Sequence, residues 1–405
     1  MKPIVRAGRM KPVHSDIRGP LFVEAMKRQK QGIDILKLNT GNPATFGFGL
    51  PDSIKNALME HMQDGVGYCD FKGMPQARQA ICDYETSKGI KGITPDDVFI
   101  GNGVSEVVSF ALTPLLNDGD EVLVPSPSYS LWGNSVYLED GKPVFYTCDE
   151  QANWYPDIQD IRSKITDKTK AIVIINPNNP TGVLYPKELL LEIIQIARES
   201  GLLIFADEIY DRLVMDGKQH ISLASLTEDV PVITLNGLSK SHCLCGYRCG
   251  WMVISGPIEL TEDYRQGIIQ LTSLRLCANT MAQIVIPAAL DDMETPASMV
   301  RPGGRIYEQR EATVRELEKI DGLSFVKNDA AFYVFPKLDV KKFNITNDKQ
   351  FAHDLLDATN ILLVPGSGFD WKDPDHFRIV MLPQADILSD AIRRMGTFLD
   401  GYKQK

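Results

Sequence analysis

Lys240 is the residue with the clearest chemical potential, and it ends the segment Asn-Gly-Leu-Ser-Lys at residues 236–240. Short apolar runs typical of buried strands precede and follow this segment, at residues 232–235 and 251–254. A lysine held between two such strands can be partly desolvated, which lowers its pKa and leaves a neutral amine free to attack a carbonyl carbon. The sequence therefore predicts a nucleophilic lysine, whereas a lone lysine in a surface loop is the plainer alternative.

Gly246 and Gly250 flank Arg248, which follows Lys240 by eight positions. Because glycine has no Cβ atom, these two residues allow the backbone to approach a ligand closely. This spacing favours the functional interpretation of Lys240 over the surface-loop alternative.

The turn at residues 101–105, Gly-Asn-Gly-Val-Ser, is a candidate phosphate site. It follows a predicted strand and opens a predicted helix at residues 106–116, so free N–H groups and the positive end of the helix dipole are available to an anion. The turn matches only the first half of a Gly-x-Gly-x-x-Gly dinucleotide fingerprint, because Glu106 occupies the place of the third glycine. We therefore expect a phosphate cup rather than a nicotinamide dinucleotide site.

Polar residues also follow two other predicted strands. Asn179 lies in the turn Asn-Pro-Asn-Asn-Pro-Thr-Gly at residues 176–182, whose prolines and glycine constrain the backbone so that the side chain points in one direction. The apolar run at residues 202–206 leads directly into Asp207, with Tyr210 three positions later. A carboxylate at a strand end can be functional, or it can merely cap a helix.

The elements that must position these residues form a repeating pattern from residue 97 onwards. Short apolar strands alternate with amphipathic helices, which predicts an α/β fold with a mostly parallel sheet covered by helices on both faces. Seven strands are predicted, at residues 97–100, 121–124, 144–147, 171–175, 202–206, 232–235 and 251–254. In such sheets ligands bind at the carboxyl ends of the strands, where most of the candidate residues lie.

The composition changes from about residue 290, where the chain becomes more polar and the periodicity differs. Predicted helices and antiparallel strands, including one at residues 331–338, indicate a smaller α+β domain. The expected division is an N-terminal arm and part of the small domain at residues 1–45, a large domain at 46–289, and a small C-terminal domain at 290–405.

Composition and charge are those of an ordinary globular protein, with 405 residues, 43% hydrophobic and 24% charged. The net charge of −10 argues against nucleic acid or an anionic membrane as the main partner. Residues 1–20 lack the apolar core of a secretory signal, and no stretch reaches the roughly 18 continuous apolar residues of a membrane helix.

Seven cysteines without the spacing of a disulfide framework suit reduced thiols, and we expect a cytoplasmic protein. Cys243, Cys245 and Cys249 lie close to Lys240, but only the gap between the last two suits a zinc pair. No second Cys or His pair follows at finger spacing, so the sequence predicts no metal site.

The candidate residues occur in an order that resembles the class I and II aminotransferases of fold type I, which use pyridoxal 5′-phosphate (PLP): Asn179, Asp207-x-x-Tyr210, Ser239-Lys240 and Arg248. The resemblance covers nearly the whole chain. It implies the fold type I architecture, in which a mostly parallel seven-stranded sheet with helices on both faces is joined to a smaller α+β domain.

A PLP enzyme needs a lysine that binds the cofactor aldehyde as a Schiff base, a carboxylate that keeps the pyridine nitrogen protonated, and anchors for the phosphate. By this resemblance Lys240 is the lysine and also acts as general base and acid, and Asp207 is the carboxylate. Tyr210 and Asn179 would hydrogen-bond the ring oxygen, and Tyr129 would stack on the ring.

The resemblance also implies the phosphate contacts, which are Gly103, Val104, Ser105, Ser239, Arg248 and Tyr68. Arg248 would donate two parallel hydrogen bonds to the phosphate, a geometry that lysine does not offer. Tyr68 would reach the phosphate in the neighbouring subunit, which implies a homodimer with shared active sites.

Arg378 lies in an apolar run at residues 377–381, where an unpaired guanidinium would be costly to bury. The plainer interpretation is an ion pair with Asp375. By the resemblance Arg378 instead binds the α-carboxylate of the amino-acid or 2-oxo-acid substrate, with Gly41 and Asn179 as further substrate contacts.

The resemblance is greatest to the bacterial alanine (glutamate–pyruvate) aminotransferases, through the segments at residues 16–20, 41–44, 68–70 and 375–380. It implies transamination between L-alanine and 2-oxoglutarate, giving pyruvate and L-glutamate. The chain departs from the broader class at Gly237, where many members have serine, and at Ala330, where the family has glycine. These departures leave the fine substrate preference open.

Three alternatives remain from the sequence. One is another PLP enzyme, either a valine, aromatic or glutamine-type aminotransferase or a lyase. Another is a regulatory PLP-binding module, which would need an added basic DNA-binding segment at the N-terminus. The last is a nucleotide-binding α/β protein, which Glu106 disfavours.

Overall fold

One eight-stranded sheet organises the fold in a computed structural model that describes residues 2–405. The strands of the chain are β1 Leu36–Lys37, β2 Val98–Asn102, β3 Glu121–Ser126, β4 Lys142–Asp149, β5 Tyr155–Pro156, β6 Thr169–Ile175, β7 Leu203–Asp207, β8 Val232–Gly237, β9 Cys249–Ser255, β10 Leu323–Ser324, β11 Tyr333–Val334, β12 Lys337–Leu338, β13 Ile361–Leu362, β14 Val364–Pro365 and β15 Phe377–Val380. Across the large sheet the order is β2-β9-β8-β7-β6-β3-β4-β5.

Helices connect these strands. The α-helices are α1 Pro20–Lys30, α2 Asp52–His61, α3 Pro75–Ser87, α4 Val104–Leu112, α5 Leu131–Leu138, α6 Ile158–Lys164, α7 Lys187–Ser200, α8 Leu238–Ser241, α9 Ile258–Arg275, α10 Thr280–Ile284, α11 Ile286–Asp291, α12 Glu294–Val300, α13 Arg305–Leu317, α14 Val340–Phe343, α15 Asp348–Thr359 and α16 Ala385–Asp400. Short 3₁₀ helices lie at Gly8–Met10, Asp16–Arg18, Pro43–Phe46, Met62–Gly65, Pro95–Asp97, Glu150–Ala152, Leu223–Leu226 and Gly366–Phe369.

The predicted α/β class and the mostly parallel sheet are confirmed, but the predicted number of seven strands is wrong. The pairs β3–β4, β3–β6, β6–β7 and β7–β8 are parallel, whereas β9 and β5 run antiparallel to their neighbours. The eighth strand, β5, has only two residues, so no periodicity in the sequence could reveal it. Pro156 also lacks the N–H group that a central strand needs, which confines β5 to the sheet edge.

The carboxyl ends of the central strands converge at one edge of the sheet. Ile175 at the end of β6 pairs with Asp207 at the end of β7, and Asp207 pairs with Leu235 near the end of β8. Strand β9 runs in the opposite direction, so its first residue, Cys249, pairs with Asn102 at the end of β2. Residues that follow β6, β7 and β8, or precede β9, therefore come together.

Helices cover both faces of this sheet. Along β6 the side chains of Ala171, Val173 and Ile175 pack into a cluster with residues of α4 and α9, and those of Ile172 and Ile174 pack against α7. Alternate residues of a strand point to opposite faces, so a strand that is apolar throughout is buried on both. Burial of one such side chain contributes about 1.5–3 kcal/mol, which makes the sheet a rigid support for the strand ends.

A second core forms around the C-terminal elements. Side chains of α13, α15 and α16 pack there with the short strands, and Leu38 from the N-terminal part joins them. Strand β1 pairs in parallel with β13, through Leu36 and Ile361. The predicted strand at residues 331–338 is two separate short strands, β11 and β12, with Pro336 between them. The exact domain boundaries at residues 45 and 289 stay a prediction.

No single helix within residues 2–405 has both the length and the apolar character needed to cross a membrane. The helix Ile258–Arg275 and the segment Thr280–Asp291 meet those criteria only as a pair, with a bend of 119° between them.

Candidate active site

Lys240 lies in the short helix α8, between strands β8 and β9, as the sequence predicts. Its Nζ atom donates a hydrogen bond to the Gly41 carbonyl oxygen at 3.0 Å and lies 3.9 Å from the sulfur atom of Cys245. The centre of the Phe332 ring is 5.9 Å from the same Nζ atom. The amine thus faces the neighbouring Cys245 and two groups from distant parts of the chain, Gly41 and Phe332.

The predicted lowering of the Lys240 pKa is wrong for this structure. Burial disfavours the charged ammonium and by itself lowers the pKa, but electrostatic interactions with Tyr333, Cys245 and Tyr129 raise the pKa above its usual value. Arg378 acts in the lowering direction without reversing this result. Since Tyr333 and Tyr129 lie far from Lys240 in sequence, the local pattern around Lys240 could not reveal their effect on its pKa.

Asp207 is the last residue of β7 and is 5% exposed. Trp132 Nε1 donates a hydrogen bond to Asp207 Oδ2 at 3.1 Å, and the backbone N–H of Ile209 donates to Oδ1 at 3.4 Å. Burial raises the pKa of Asp207 to about 6. Within residues 2–405 the carboxylate forms no ion pair, so it is suited to a cationic group of a ligand.

Arg378 lies in strand β15 and is 1% exposed. Its Nη1 atom donates a hydrogen bond to Asn179 Oδ1 at 2.9 Å, and its Nη2 atom donates to the Asn39 carbonyl oxygen at 2.5 Å. The rings of Tyr333 and Phe369 cover the guanidinium, with centroids 4.5 and 4.6 Å from Cζ. Arg378 and Asn179, which are 199 residues apart, therefore form one polar unit.

The ion pair between Arg378 and Asp375 is not formed. The Asp375 carboxylate accepts a hydrogen bond from Trp371 Nε1 at 3.0 Å and lies 2.6 Å from His376 Nδ1. In the described chain the Arg378 guanidinium meets no carboxylate, and its Nε atom has no hydrogen-bond partner. A buried positive charge without a counter-ion is unfavourable, and an anionic ligand can neutralise it.

The structure also places Gly41, Tyr210 and Tyr129 beside these residues. The hydroxyl groups of Tyr210 and Tyr333 are 2.9 Å apart, and both side chains are buried. A Cβ atom on Gly41 would lie 2.3 Å from the Tyr333 hydroxyl oxygen, so only glycine allows this approach. Tyr129 follows the end of β3 and interacts electrostatically with both Lys240 and Arg378.

The predicted phosphate residues meet at the start of helix α4. Gly103 is the N-cap residue with a φ angle of +83°, and Val104 and Ser105 begin the helix. The guanidinium of Arg248 lies over Gly103, because a Cβ atom there would be 2.3 Å from Arg248 Nη2. Arg248 itself donates a hydrogen bond from Nη1 to the Cys245 carbonyl oxygen at 3.0 Å. A helix N-terminus and a guanidinium thus converge on one place, an arrangement that favours an anion.

Glu106 leaves this helix N-terminus available. Its carboxylate accepts hydrogen bonds from the backbone N–H of Asn102 at 2.7 Å and from the Asn102 side chain at 2.9 Å. Arg275 Nη1 lies 2.6 Å from Glu106 Oε2 and balances its charge. Glu106, which occupies the place of the third glycine, is therefore held by Asn102 and Arg275.

Gly237 departs from the family pattern for a steric reason. A Cβ atom on Gly237 would lie 2.5 Å from the Cys249 carbonyl oxygen and 3.1 Å from Gly250 Cα. Serine at this position would require strand β9 to move away from β8. Ser239, half-buried in α8 next to Lys240, is the other predicted hydroxyl in this segment.

Tyr68 does not join the site within one chain. Its side chain is 84% exposed, and no hydrogen bond or aromatic contact in residues 2–405 connects it to the other candidate residues. Its assignment to the phosphate of a neighbouring subunit stays a prediction.

Sequence reasoning missed three residues of the site. Trp132 donates to Asp207, Tyr333 contacts both Tyr210 and Arg378, and the Asn39 carbonyl accepts from Arg378. Two weak signals were present in the sequence: Trp132 follows the candidate Tyr129 by three positions, and Tyr333 follows Ala330 by three positions. Neither signal separates a site residue from one that packs in the core.

Cys243, Cys245 and Cys249 do not share a partner. Cys243 Sγ lies 3.9 Å from the Met299 sulfur atom, Cys245 Sγ donates to the Ser239 carbonyl oxygen at 2.9 Å, and Cys249 is buried in β9. In the part of the chain that the structure describes, two other groups have the spacing of metal ligands: Glu24 with His353 and Asp357, and Glu208 with Asp211 and His220. A side-chain cation, from Arg28 or Lys88 respectively, already contacts carboxylates in each group.

Comparisons with known proteins identify the family and several similar chains. The family model described as aminotransferase class I and II matches residues 33–392. The glutamate-pyruvate aminotransferase AlaA of Haemophilus influenzae is 50% identical over 404 residues, which cover 100% of both chains. The crystal structure of an aminotransferase from Escherichia coli superposes with a TM-score of 0.98 at 47% identity, over 100% of both chains. The alanine aminotransferase of Pyrococcus furiosus has a TM-score of 0.93 at 41% identity, covering 98% of this chain and 100% of its own.

Proposed function

The chain belongs to the class I and II aminotransferases, and we propose that it catalyses transamination between L-alanine and 2-oxoglutarate, giving pyruvate and L-glutamate. The buried Arg378 guanidinium is the observation that carries the proposal. It lacks a carboxylate partner among residues 2–405, and every amino-acid or 2-oxo-acid substrate brings an α-carboxylate that would supply one. Full-length relatives named for alanine or glutamate–pyruvate transfer support this choice of substrates.

Class I and II aminotransferases depend on PLP in general, and we propose that this chain binds PLP at Lys240. Two observations fit the group. The buried Asp207 carboxylate has no cationic partner in the described chain, as a site for a protonated pyridine nitrogen requires. The N-terminus of α4 and the Arg248 guanidinium meet at Gly103, where the absence of a Cβ atom lets the guanidinium lie against the start of the helix, and both groups favour an anion such as a phosphate. When bound, PLP supplies an electron sink for the carbanion formed at the substrate α-carbon.

We propose a separate role in the reaction for each residue of the site. Lys240 would bind the cofactor aldehyde and, once released, carry a proton to and from the substrate α-carbon as general base and acid. Asp207, oriented by Trp132, would hold the proton on the pyridine nitrogen. Arg378 and Asn179 would fix the substrate carboxylate and so orient the α-carbon towards Lys240.

A panel of amino-acid donors with 2-oxoglutarate as acceptor tests the proposal. We expect alanine to give the highest kcat/KM, with pyruvate and glutamate formed in equal amounts. Valine, an aromatic amino acid or glutamine as the preferred donor would contradict the alanine assignment. Product formation without any amino transfer would instead indicate a lyase.

We propose a homodimer whose two sites each use Tyr68 of the other subunit. The proposal is supported by the exposure of Tyr68 at 84%, together with exposed apolar side chains nearby in sequence at Met62 and Val66. Light scattering on the purified protein should give about twice the mass of one 45.1 kDa chain. Activity should fall in parallel with the dimer fraction on dilution, because a monomer would lack one phosphate contact. A fully active monomer at assay concentration would contradict this prediction.

Gly103→Ala should weaken PLP binding by about tenfold or more, a change of about 1.4 kcal/mol. The added Cβ atom would lie 2.3 Å from Arg248 Nη2 and would displace the guanidinium. The dissociation constant can be measured by PLP titration of the stripped protein. Gly119→Ala is a matched control, because Gly119 has a similar φ angle of +78° but no neighbouring atom within 4 Å. Both variants should lose about 1–3 kcal/mol of stability from backbone strain, and equal losses of PLP affinity would contradict the assignment.

A cytoplasmic location stays a prediction. We propose it on the basis of the seven cysteines, each of which is an unpaired thiol.

A further inference from the structure

A buried ionic cluster lies directly behind the strand ends that carry the site. The ammonium of Lys88 is 2.8 Å from Glu85 Oε2, 2.7 Å from Glu208 Oε2 and 3.1 Å from Asp211 Oδ2. The side chain of Lys88 is 13% exposed, and those of the three acids are 0%, 2% and 3% exposed. We call these four residues the Lys88 cluster. Neither Glu85 Oε2 nor Glu208 Oε2 has a well-directed hydrogen bond, so attraction between charges dominates both contacts.

The cluster connects the end of β7 to the end of β8 through Asp211. Asp211 Oδ2 also accepts hydrogen bonds from Tyr84 Oη at 2.6 Å and from Asn236 Nδ2 at 2.7 Å. Asn236 Oδ1 in turn accepts from the backbone N–H of Gly237 at 2.7 Å, three positions before Lys240. Asp211 therefore connects the segment that contains Tyr210 to the segment that contains Lys240.

Glu208 extends the same cluster towards β6. Its Oε1 atom accepts hydrogen bonds from Ser222 Oγ at 2.9 Å and from the backbone N–H of Leu223 at 3.0 Å. His220 Nε2 lies 3.9 Å from Glu208 Oε2 and 3.1 Å from the carbonyl oxygen of Asn176, which begins the turn that contains Asn179. Burial lowers the pKa of His220, so Lys88 remains the positive charge at the centre.

Trp251 and Arg212 also lie near the Lys88 cluster. Trp251 Nε1 donates a hydrogen bond to Glu85 Oε1 at 3.1 Å, three residues after Arg248 in β9. Arg212, the other nearby cation, stacks on the Tyr84 ring at 4.3 Å and donates to backbone carbonyls, so it forms no ion pair with the cluster. The pKa of Asp211 is lowered despite its burial, chiefly through the charge of Lys88.

We propose that Lys88 is a positioning residue that holds the segments after β6, β7 and β8 in the relative places at which Asn179, Asp207, Tyr210 and Lys240 act. The inference rests on the proposed transamination for its effect on turnover. Its physical basis is independent of that function. Three buried carboxylates repel one another, and removal of their shared cation must separate them, protonate them or admit water. Separation of the acids or entry of water would shift the segment after β7, which carries Glu208 and Asp211, relative to Glu85 in helix α3.

Lys88→Met tests the inference because methionine fills a similar volume without the charge. Arg265→Met is a matched control. Arg265 pairs with Asp97 at 2.5 Å, and their side chains are 12% and 15% exposed. This pair lies at the end of the sheet opposite the site, before the first residue of β2. Arg265 also donates a hydrogen bond there to the Ile254 carbonyl oxygen, near the end of β9. Both variants lose a well-buried cation that contacts carboxylates, three in the case of Lys88 and one in the case of Arg265, and only Lys88 lies behind the site.

Hydrogen exchange on the full-length protein, with and without added PLP, gives a readout that does not depend on turnover. We expect faster exchange at residues 207–213 and 236–241 in Lys88→Met and unchanged exchange there in Arg265→Met. In the PLP-loaded protein kcat should fall about tenfold or more for Lys88→Met, since misplacement by about 1 Å is enough for such a loss. The KM for alanine should change less than kcat, because Arg378, the charged group proposed to bind the substrate carboxylate, does not contact the cluster.

A purely structural role for Lys88 predicts a different result. Both variants would then melt at lower temperature, with unchanged exchange at the strand ends and unchanged kcat, and that result overturns the inference. If Lys88→Met does not fold, Asn236→Ala replaces it, because this change keeps all charges and breaks the contact between Asp211 and β8, together with the hydrogen bond from the Gly237 N–H to Asn236 Oδ1. Unchanged exchange and kcat in Asn236→Ala would likewise overturn the inference. A wild-type protein that does not transaminate would refute the proposed function, and the exchange data would still decide the role of Lys88.

Discussion

Lys240→Ala is expected to lower kcat for alanine and 2-oxoglutarate by at least about 10²–10⁴-fold, the range over which general acid–base groups contribute. The expectation follows from the position of the amine. Nζ is held 3.0 Å from the Gly41 carbonyl oxygen and interacts electrostatically with Tyr333, whose ring covers the Arg378 guanidinium. No other lysine in residues 2–405 has such contacts, so no neighbour can replace it. Steady-state and single-turnover rates of the PLP-loaded variant give the measurement.

Covalent labelling identifies the lysine independently of turnover. Borohydride reduction of the wild-type protein with PLP, followed by peptide mapping, should place the pyridoxyl group on Lys240. Lys142→Ala is a suitable control, because Lys142 is 66% exposed and pairs with Glu121 at the far end of strands β3 and β4. It should keep wild-type turnover and labelling. A label on a different lysine, or normal turnover in Lys240→Ala, would end the assignment.

Arg378→Lys should lower kcat/KM by about 10–150-fold for amino donor and 2-oxo acid alike, or about 1.5–3 kcal/mol. Lysine keeps the positive charge but cannot donate two parallel hydrogen bonds to the substrate carboxylate while also contacting Asn179 and Asn39. The PLP dissociation constant should not change, because Arg378 has no contact with the residues around Gly103. Initial rates over a matrix of both substrates, with PLP titration of each variant, provide the data.

Arg310→Lys separates loss of a buried arginine from loss of a substrate contact. Arg310 is fully buried and forms two hydrogen bonds with Asp216, at 2.6 and 2.7 Å. This variant should be destabilised while its kcat/KM stays close to that of the wild type. If Arg378→Lys released PLP, or left the alanine kinetics unchanged, Arg378 would not be the group that binds the carboxylate.

The strand pattern could be read from the sequence because burial on both faces is a local signal. Runs such as Leu203–Asp207 are apolar until their last residue, and parallel strands place such last residues at one edge. That logic predicts that Asp207, Asn179 and Lys240 lie at the same edge of the sheet. It failed for the two-residue strand Tyr155–Pro156, whose existence depends only on its pairing with β4.

Ion pairs and pKa shifts could not be predicted from the sequence in the same way, because charged groups also interact with residues that are remote in sequence. The short sequence distance between Asp375 and Arg378 offers an ion pair as the plainer alternative to substrate binding, but the Asp375 carboxylate contacts Trp371 and His376 instead. The pKa of Lys240 is raised rather than lowered for the same reason, since Tyr333 and Tyr129 reach it from other elements. Proximity in sequence therefore identified neither an ion-pair partner within the chain for Arg378 nor the direction in which the pKa of Lys240 shifts.

By itself, the sequence determined the α/β class, the strand ends that carry the site and the residue types available there. It could do so because hydrophobic period, turn residues and short motifs are local properties of the chain. Only the tertiary structure decided that Arg378 is buried without a counter-ion, that Gly237 has no room for a side chain, and that Lys88 compensates three acids behind the strand ends. These properties depend on distances of a few ångströms between elements far apart in the chain, and the energies of ion pairs and of steric contacts depend directly on those distances.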